Sequence, residues 1–272
     1  MKFLKQIPNL FTLLNLIFGC IAIVFILQTG QSIVTLNEQT GAYDPVFPEK
    51  MAWGGLFIFL AAIVDFFDGF VARLMKASSA MGAQLDSLSD VVSFGVAPGM
   101  ILYQLLRLGF AQQENGLDVS FLALLPAFLF TAAVAWRLAK FNISTDQTDS
   151  FKGIPSPAAG LVVASFPLII WNQYFNLQTY FINPWILYAA ILIISYLMVS
   201  DRRFMALKFK DYSFQNNSIK YVLLAAALLC IVFLRWFAVP VIFILYLTAS
   251  LFEKPKAFIS DDANKETLDV TV

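Results

Sequence analysis

The sequence of 272 residues contains no histidine. This absence excludes Ser-His and Cys-His nucleophile systems, imidazole zinc sites and a histidine general base. Cysteine is also scarce: Cys20 and Cys230 are the two present, and both fall inside apolar runs. They indicate small buried hydrophobic residues and no disulfide framework. Carboxylates are therefore the chief metal ligands and general bases available to this protein.

Charged side chains are the second scarcity. They make up 13% of the sequence, whereas hydrophobic residues make up 59%. Soluble domains carry about 25% charged residues, so a soluble protein of this composition could not cover its own surface. Several apolar runs approach the ~20 residues that span a bilayer. The composition predicts an integral membrane protein.

Eight apolar segments predict an all-α, polytopic transmembrane helix bundle with about eight spans. The last two are separated only by Arg235 and Trp236, which predicts a tight hairpin, with one long interfacial helix as the alternative. The first is too long for a signal peptide and lacks a clear cleavage site, so it is interpreted as a spanning helix. The segments cover residues 10–28, 51–74, 87–106, 121–139, 158–171, 179–199, 221–234 and 237–252.

The segments divide the chain into three expected parts. Residues 1–200 are expected to form a membrane core. Residues 201–252 would form a cytoplasmic loop and two additional C-terminal transmembrane helices. Residues 253–272 have too little apolar content to pack, which predicts a disordered cytoplasmic tail. No soluble domain is expected.

The positive charges predict the orientation of the bundle. With the N-terminus inside, fifteen Lys and Arg residues lie on the inner side, and only Lys50, Arg107 and Arg235 lie outside. This is a strong positive-inside bias. It predicts a multi-pass protein of the cytoplasmic (inner) membrane with both termini in the cytoplasm.

Four aspartates stand in the stretch VDFFDGFVARLMKASSAMGAQLDSLSD, residues 64–90, between apolar sequences. Asp65 and Asp68 are three residues apart near the end of the second predicted helix. Asp86 and Asp90 are four apart at the start of the third, so each pair shares a helix face. A short turn between antiparallel helices would bring both faces to the same depth, just under the inner membrane surface.

Four neighbouring carboxylates repel one another unless a cation lies between them. All-oxygen ligands suit hard divalent ions such as Mg²⁺ or Mn²⁺. Two ions about 3.5–4 Å apart would neutralise the four charges and leave positions for phosphate oxygens. Gly69, Ala72 and Gly82 would let backbone or ligand approach closely, and Arg73 offers a fork to phosphate.

Two other interpretations of these aspartates are open. They could be solvated residues at the membrane interface, or ligands of a divalent-cation transporter. A transporter would be expected to place its acidic ligands near the membrane midplane. Here they cluster at one edge beside Arg73, which would repel a passing cation.

The spacing of these residues resembles the signature of the CDP-alcohol phosphotransferase family. The pattern is Asp65-x2-Asp68-Gly69-x2-Ala72-Arg73-x8-Gly82-x3-Asp86-x3-Asp90. The resemblance implies a six-helix membrane core with a dinuclear metal site, at which an alcohol displaces CMP from a CDP-linked lipid.

The resemblance also implies roles for single residues. Asp90 would be both a metal ligand and the base that deprotonates the acceptor hydroxyl. The stretch IPNLFTLLN at residues 7–15 resembles the family's entry to the first helix, and Asn9, Thr12 and Asn15 share a face there. The other implied metal ligands are Asp65, Asp68 and Asp86, and the nucleotide and CDP-lipid side would use Asn9, Thr12, Gly69, Ala72, Arg73, Ser79 and Gly82.

Three further stretches resemble the phosphatidylserine synthase branch of the family. They are SDVVSFGVAPG, AWRLAKFN and FKGIPSPAAG, at residues 89–99, 135–142 and 151–160. This implies transfer from CDP-diacylglycerol to L-serine, which yields phosphatidylserine and CMP. Glycerol 3-phosphate or inositol phosphate are the alternative acceptors. A membrane lipid environment and a homodimer are expected, without nucleic acid.

Three cations and an amide are expected at the mouth of this site. The donor pyrophosphate or a serine carboxylate would need cations such as Arg137, Lys140 and Lys152, and Asn142 could hydrogen-bond the acceptor. Lys140 stands where the family resemblance leads us to expect arginine, so charge is kept without the bidentate fork. The alternative is that these cations only reflect the positive-inside bias.

Overall fold

The computed structural model describes residues 6–27, 34–38, 41, 43–75, 79–112, 119–143, 151–173, 175, 177–205 and 213–252. This part of the chain is almost entirely helical. Its α-helices are α1 (Ile7–Leu27), α2 (Glu49–Leu74), α3 (Ala80–Asp90), α4 (Ala97–Ala111), α5 (Phe121–Leu124), α6 (Ala127–Ile143), α7 (Ser156–Asn172), α8 (Gln178–Ile182), α9 (Pro184–Val199), α10 (Phe214–Leu234) and α11 (Ala238–Phe252).

Two small antiparallel sheets accompany the helices, each with two short strands. Strand β1 (Val34–Leu36) pairs with β2 (Tyr43–Pro45) between α1 and α2. Strand β3 (Phe151–Lys152), before α7, pairs with β4 (Arg203–Phe204), after α9. The predicted tail, residues 253–272, lies outside the described residues.

Each of the eight predicted apolar segments contains a helix. By length and composition, four helical runs of the described residues are long and apolar enough to cross a membrane: Ile7–Leu27, Glu49–Leu74, Ala80–Ala111 and Asn217–Ser250. The last of these runs combines most of α10 and α11 and is interrupted at Arg235. Further apolar helices, α7 and α9, are shorter. The prediction of an all-α bundle of membrane-spanning helices is confirmed, and the protein is a multi-pass membrane protein.

A π-helix, Val91–Val96, joins α3 to α4 without interruption. Pro98 has no backbone N–H to donate, and the N–H of Ala97 bonds to a carbonyl five residues earlier, so the turn is wide. Within this turn Ser93 contacts α1 and Gly95 contacts α6. The wide turn therefore lies at the centre of the bundle, directly after Asp90.

Six elements surround the core, namely α1, α2, the α3–α4 run, α6, α7 and α9. Phe94, Phe130, Ile101 and Leu105 are among the fully buried side chains at its centre. Since lipid is as apolar as these side chains, close packing and interhelical hydrogen bonds hold such helices together. This arrangement agrees with the six-helix core that the family resemblance implies.

The last two helices form a hairpin on the outside of this core. Helix α10 ends at Leu234, and Arg235 has φ 51° and ψ −124°, which no helix accommodates. Helix α11 packs against α10 and α7. Its Tyr246 reaches back to the carbonyl of Met205, which precedes α10 in the chain. The chain therefore reverses at Arg235, as predicted, and does not form one long helix.

Candidate active site

Three of the four aspartates meet between α2 and α3. Carboxylate oxygens of Asp65, Asp86 and Asp90 all lie within 4.8 Å of one another. Asp86 and Asp90 are one turn apart on α3, so they point to the same side, toward Asp65 on α2. Asp90 is 7% exposed, whereas Asp65 and Asp86 stay partly accessible. The fold thus produces a compact carboxylate cluster at one end of the bundle.

The fourth aspartate, Asp68, is turned toward α1. The hydroxyl of Thr12 donates a hydrogen bond to its Oδ2, and both side chains are buried. Asp68 also interacts electrostatically with Asp65 and Asp86. It therefore belongs to the same charged cluster, while a neutral donor from the first helix holds one of its oxygens.

The cluster fits a divalent metal ion. Within the described residues, none of the four aspartates has a Lys or Arg nitrogen within 4.0 Å. Their burial and mutual repulsion are therefore not offset by a direct ion pair. A set of carboxylate oxygens without nitrogen or sulfur suits a hard cation. The donor set can hold a divalent ion, as the sequence predicts.

Asn15 on α1 is a further member of the site. It is fully buried, and its Nδ2 donates to Asp90 Oδ1 at 3.3 Å. Two serines of the third helical run bind the backbone of α1 in return. Ser89 Oγ donates to the carbonyl of Thr12 at 3.1 Å, and Ser93 Oγ donates to that of Asn15 at 3.0 Å. Helix α1 is thereby fixed to the third helical run at residues on both sides of Asp90.

Sequence reasoning did not assign a role to Asn15. A usable signal was present, because Asn15 shares a face with Asn9 and Thr12. A polar residue in a spanning segment more often packs against another helix, which is why the pattern alone does not identify a carboxylate partner. The hydrogen bond to Asp90 depends on how α1 and α3 pack.

Asn9, Ser79 and Gly82 lie together where α1 and α3 begin. Ser79 caps α3 by accepting a hydrogen bond from the Gly82 N–H at 3.0 Å. A Cβ added at Gly82 would lie 3.0 Å from Asn9 Oδ1. Asn9 itself donates to Gln6 at 2.7 Å. The three residues predicted on the nucleotide side are therefore neighbours, and their contact with a nucleotide stays a prediction.

Gly69, Ala72 and Arg73 occupy the last turns of α2. In the described part of the chain, no atom beyond the adjoining residues and the backbone of its own helix lies within 4 Å of the position that a Cβ on Gly69 would take. Arg73 is exposed, and its Nε donates to the carbonyl of Gly69 at 2.9 Å. The surface beside Gly69 is therefore open, with a guanidinium at its edge, which is an arrangement that a phosphate group could enter.

Arg137 is the buried cation of the site. It is 8% exposed, and its Nη1 donates to Ser156 Oγ at 2.9 Å. Its Nε is buried and has no hydrogen-bond partner among the described residues. Arg137 also interacts electrostatically with Asp90. A buried guanidinium with an unused donor is costly unless an anion binds it, so this residue fits the predicted anion-binding role.

The other predicted acceptor residues have different surroundings. Lys140 forms an ion pair with Asp201 at 2.6 Å, and both side chains are exposed, at 40% and 79%. Asn142 donates to Ser87 Oγ at 2.8 Å, next to Asp86 in the chain. Lys152 belongs to β3, and its side chain lies outside the described part of the structure. Roles for these three residues stay predictions.

Comparison with known proteins places these residues in a family. Residues 5–198 match the CDP-alcohol phosphatidyltransferase family. This range includes all the predicted site residues. The chain belongs to the CDP-alcohol phosphatidyltransferase family.

Several relatives carry the name CDP-diacylglycerol–serine O-phosphatidyltransferase. The relative from Bacillus subtilis is 37% identical over 163 residues, 59% of this chain and 78% of its own. The one from Helicobacter pylori is 31% identical over 233 residues, 84% and 81% of the two chains. That from Methanocaldococcus jannaschii is 36% identical over 181 residues, 66% and 74%.

Proposed function

We propose that this protein transfers the phosphatidyl group of CDP-diacylglycerol to the hydroxyl of L-serine, which yields phosphatidylserine and CMP. The observation that carries the proposal is the cluster of Asp65, Asp86 and Asp90 beside the buried cation Arg137. Relatives of this name match most of their own length to the chain. The same chemistry with glycerol 3-phosphate or inositol phosphate, or transport of a divalent cation, is not favoured.

In the proposed reaction the serine oxygen forms a bond to the phosphorus that carries diacylglycerol. The bond between that phosphorus and the bridging oxygen breaks, and CMP leaves with the electron pair. Asp90 accepts the hydroxyl proton as the new bond forms. Asn15 donates to Oδ1 of Asp90 and would orient the carboxylate for this transfer.

The four aspartates are proposed to hold two divalent ions, Mg²⁺ or Mn²⁺. Bound ions would neutralise the donor pyrophosphate and the departing CMP. The carboxylate oxygens of Asp65, Asp86 and Asp90 are close enough to bind the same ion, and Asp68 lies beside them. Thr12 would keep Asp68 in place through its hydrogen bond.

The remaining site residues are proposed to divide between donor and acceptor. Arg137 would bind an anionic group, the serine carboxylate or a donor phosphate, with help from Lys140, Asn142 and Lys152. The open surface beside Gly69 would receive the pyrophosphate. The residues proposed on the nucleotide side are Asn9, Thr12, Gly69, Ala72, Arg73, Ser79 and Gly82.

The location of the cluster suits a substrate that is half lipid and half nucleotide. The acyl chains would stay in the bilayer while the cytidine occupies water. We propose that the site lies at the cytoplasmic face of the inner membrane, with both termini in the cytoplasm, because of the positive-inside bias. A homodimer is also proposed.

The experiment is a CMP-release assay on the purified protein with CDP-diacylglycerol and a panel of alcohols. We expect CMP release that depends on L-serine, with phosphatidylserine as the lipid product. The matched control is Glu38→Gln, an exposed carboxylate far along the chain from the cluster, which should retain activity. Release only with glycerol 3-phosphate or inositol phosphate would contradict the serine assignment. No release with any alcohol would contradict the transferase.

A further inference from the structure

Helix α11 binds the backbone of Met205, just after β4. The Tyr246 hydroxyl donates to the Met205 carbonyl at 3.0 Å, and the Met205 N–H donates to Ser250 Oγ at 3.3 Å. All three residues are buried. The two hydrogen-bonding groups of the Met205 backbone are therefore both bound to α11. This contact lies beyond residue 198, where the family match ends.

From Met205 the contacts continue to the start of α7. The ring of Tyr246 stacks on Phe204 of β4, with centroids 6.5 Å apart. Strand β4 pairs with β3, and the Gly153 N–H donates to the Arg202 carbonyl at 2.9 Å. Helix α7 begins three residues after Gly153. A continuous series of contacts therefore connects α11 to the first turn of α7.

The first residue of α7 is Ser156, the hydrogen-bond partner of Arg137. Tyr246 is thus connected to Arg137 through Phe204, the strand pair and Ser156. Because a guanidinium binds carboxylates in a directional fork, a small shift of Ser156 would misalign Arg137 with its ligand.

We infer that Tyr246 is a positioning residue for Arg137, so that the C-terminal hairpin, outside the matched family region, determines acceptor binding. This inference rests on the proposed function and extends it to a residue without a direct place in the chemistry. It gives the hairpin a purpose beyond additional membrane anchoring. The acceptor group concerned is an anion, which in L-serine is the carboxylate.

The test is the Tyr246→Phe variant, which removes the hydroxyl and keeps the ring on Phe204. We expect KM for L-serine to rise about three- to tenfold, the scale of one lost hydrogen bond. The KM for CDP-diacylglycerol should stay within about twofold of the unmodified protein. The matched control is Tyr188→Phe, since the Tyr188 hydroxyl likewise donates to a backbone carbonyl, that of Ala123, at 2.6 Å. This control should leave both KM values unchanged.

Ser250→Ala removes the second hydrogen bond to Met205 and should also raise the KM for serine. It provides the test if Tyr246→Phe does not fold. Ser250→Thr keeps a hydroxyl and should restore the KM for serine. An unchanged KM for serine in Tyr246→Phe and Ser250→Ala would overturn the inference, as would equal rises for both substrates. If the unmodified protein shows no serine-dependent CMP release, the proposed function fails instead.

Discussion

Asn15 on α1 donates a hydrogen bond from Nδ2 to Oδ1 of Asp90 on α3, across 3.3 Å and 75 residues of sequence. Asn15 is fully buried, so water cannot replace the bond. The bond fixes one oxygen of the carboxylate, Oδ1, against the first helix. The first helix therefore determines how the proposed base is oriented.

The variant Asn15→Ala tests this relationship. We expect turnover to fall about tenfold to a hundredfold, because a hydrogen bond to a charged group contributes about 1.5–3 kcal/mol. The KM for CDP-diacylglycerol should change much less, because all four aspartates remain. Steady-state kinetics with Asn172→Ala as the control, which removes an amide bound to the Leu168 carbonyl, should separate the two effects. Equal turnover in both variants would refute a role for Asn15.

Metal removal tests the carboxylate cluster as a whole. We expect EDTA to abolish CMP release and excess Mg²⁺ or Mn²⁺ to restore it, because an all-oxygen site holds these ions only moderately. The measurement is activity before chelation, after chelation and after each ion is returned. Full activity in a strong chelator would rule out the metal site.

Gly69→Ala tests whether the open surface at the end of α2 receives the donor. A Cβ there meets no other helix or side chain of the described residues within 4 Å, so the melting temperature should stay unchanged while KM for CDP-diacylglycerol rises about tenfold or more. Gly99→Ala gives the opposite pattern, because its Cβ would overlap the Thr131 hydroxyl and destabilise the fold. An unaltered donor KM in Gly69→Ala would place the donor elsewhere.

Thiol labelling in cells tests the proposed orientation. With Cys20 and Cys230 replaced, a cysteine at Ser79 should react with a membrane-permeant reagent and be spared by an impermeant one added outside. A cysteine at Glu38, in the loop between α1 and α2, should react with both. The reverse labelling pattern would contradict the proposed orientation and place Ser79 on the outer side of the membrane.

The apolar runs predict the helices well where lipid and the protein core together require apolar residues along the whole helix. Helix α3 differs from its prediction, because it begins at Ala80, whereas the third apolar segment begins at residue 87. Its first turns carry polar residues of the site, so hydropathy does not detect them. Pro126 and Pro184 likewise divide the fourth and sixth segments into a short and a long helix each.

The aspartate cluster follows from spacing, because residues three or four apart share a helix face. The ion pair between Lys140 and Asp201, 61 residues later, does not follow from sequence spacing. The burial of Arg137 could not be predicted from spacing either, because a cation near a membrane edge is ordinarily solvated. These features depend on how α6, α7 and α9 pack, which no local pattern encodes.

The central claim is that Asp90 takes the proton of the serine hydroxyl in a site that the other aspartates assemble. Asp90→Asn keeps the size of the side chain and one coordinating oxygen but cannot accept this proton. Asp65→Asn should instead weaken metal binding and donor affinity. Both variants should fold, and without metal their melting temperature should not fall, because one of four clustered negative charges is removed.

The most direct measurement compares serine-dependent CMP release and CDP-diacylglycerol affinity in these two variants at saturating Mg²⁺. We expect Asp90→Asn to lose about 10²–10⁴-fold in turnover with most of its donor affinity retained. We expect Asp65→Asn to lose donor affinity first. A turnover of Asp90→Asn close to that of the unmodified protein would contradict the assignment of Asp90 as the base.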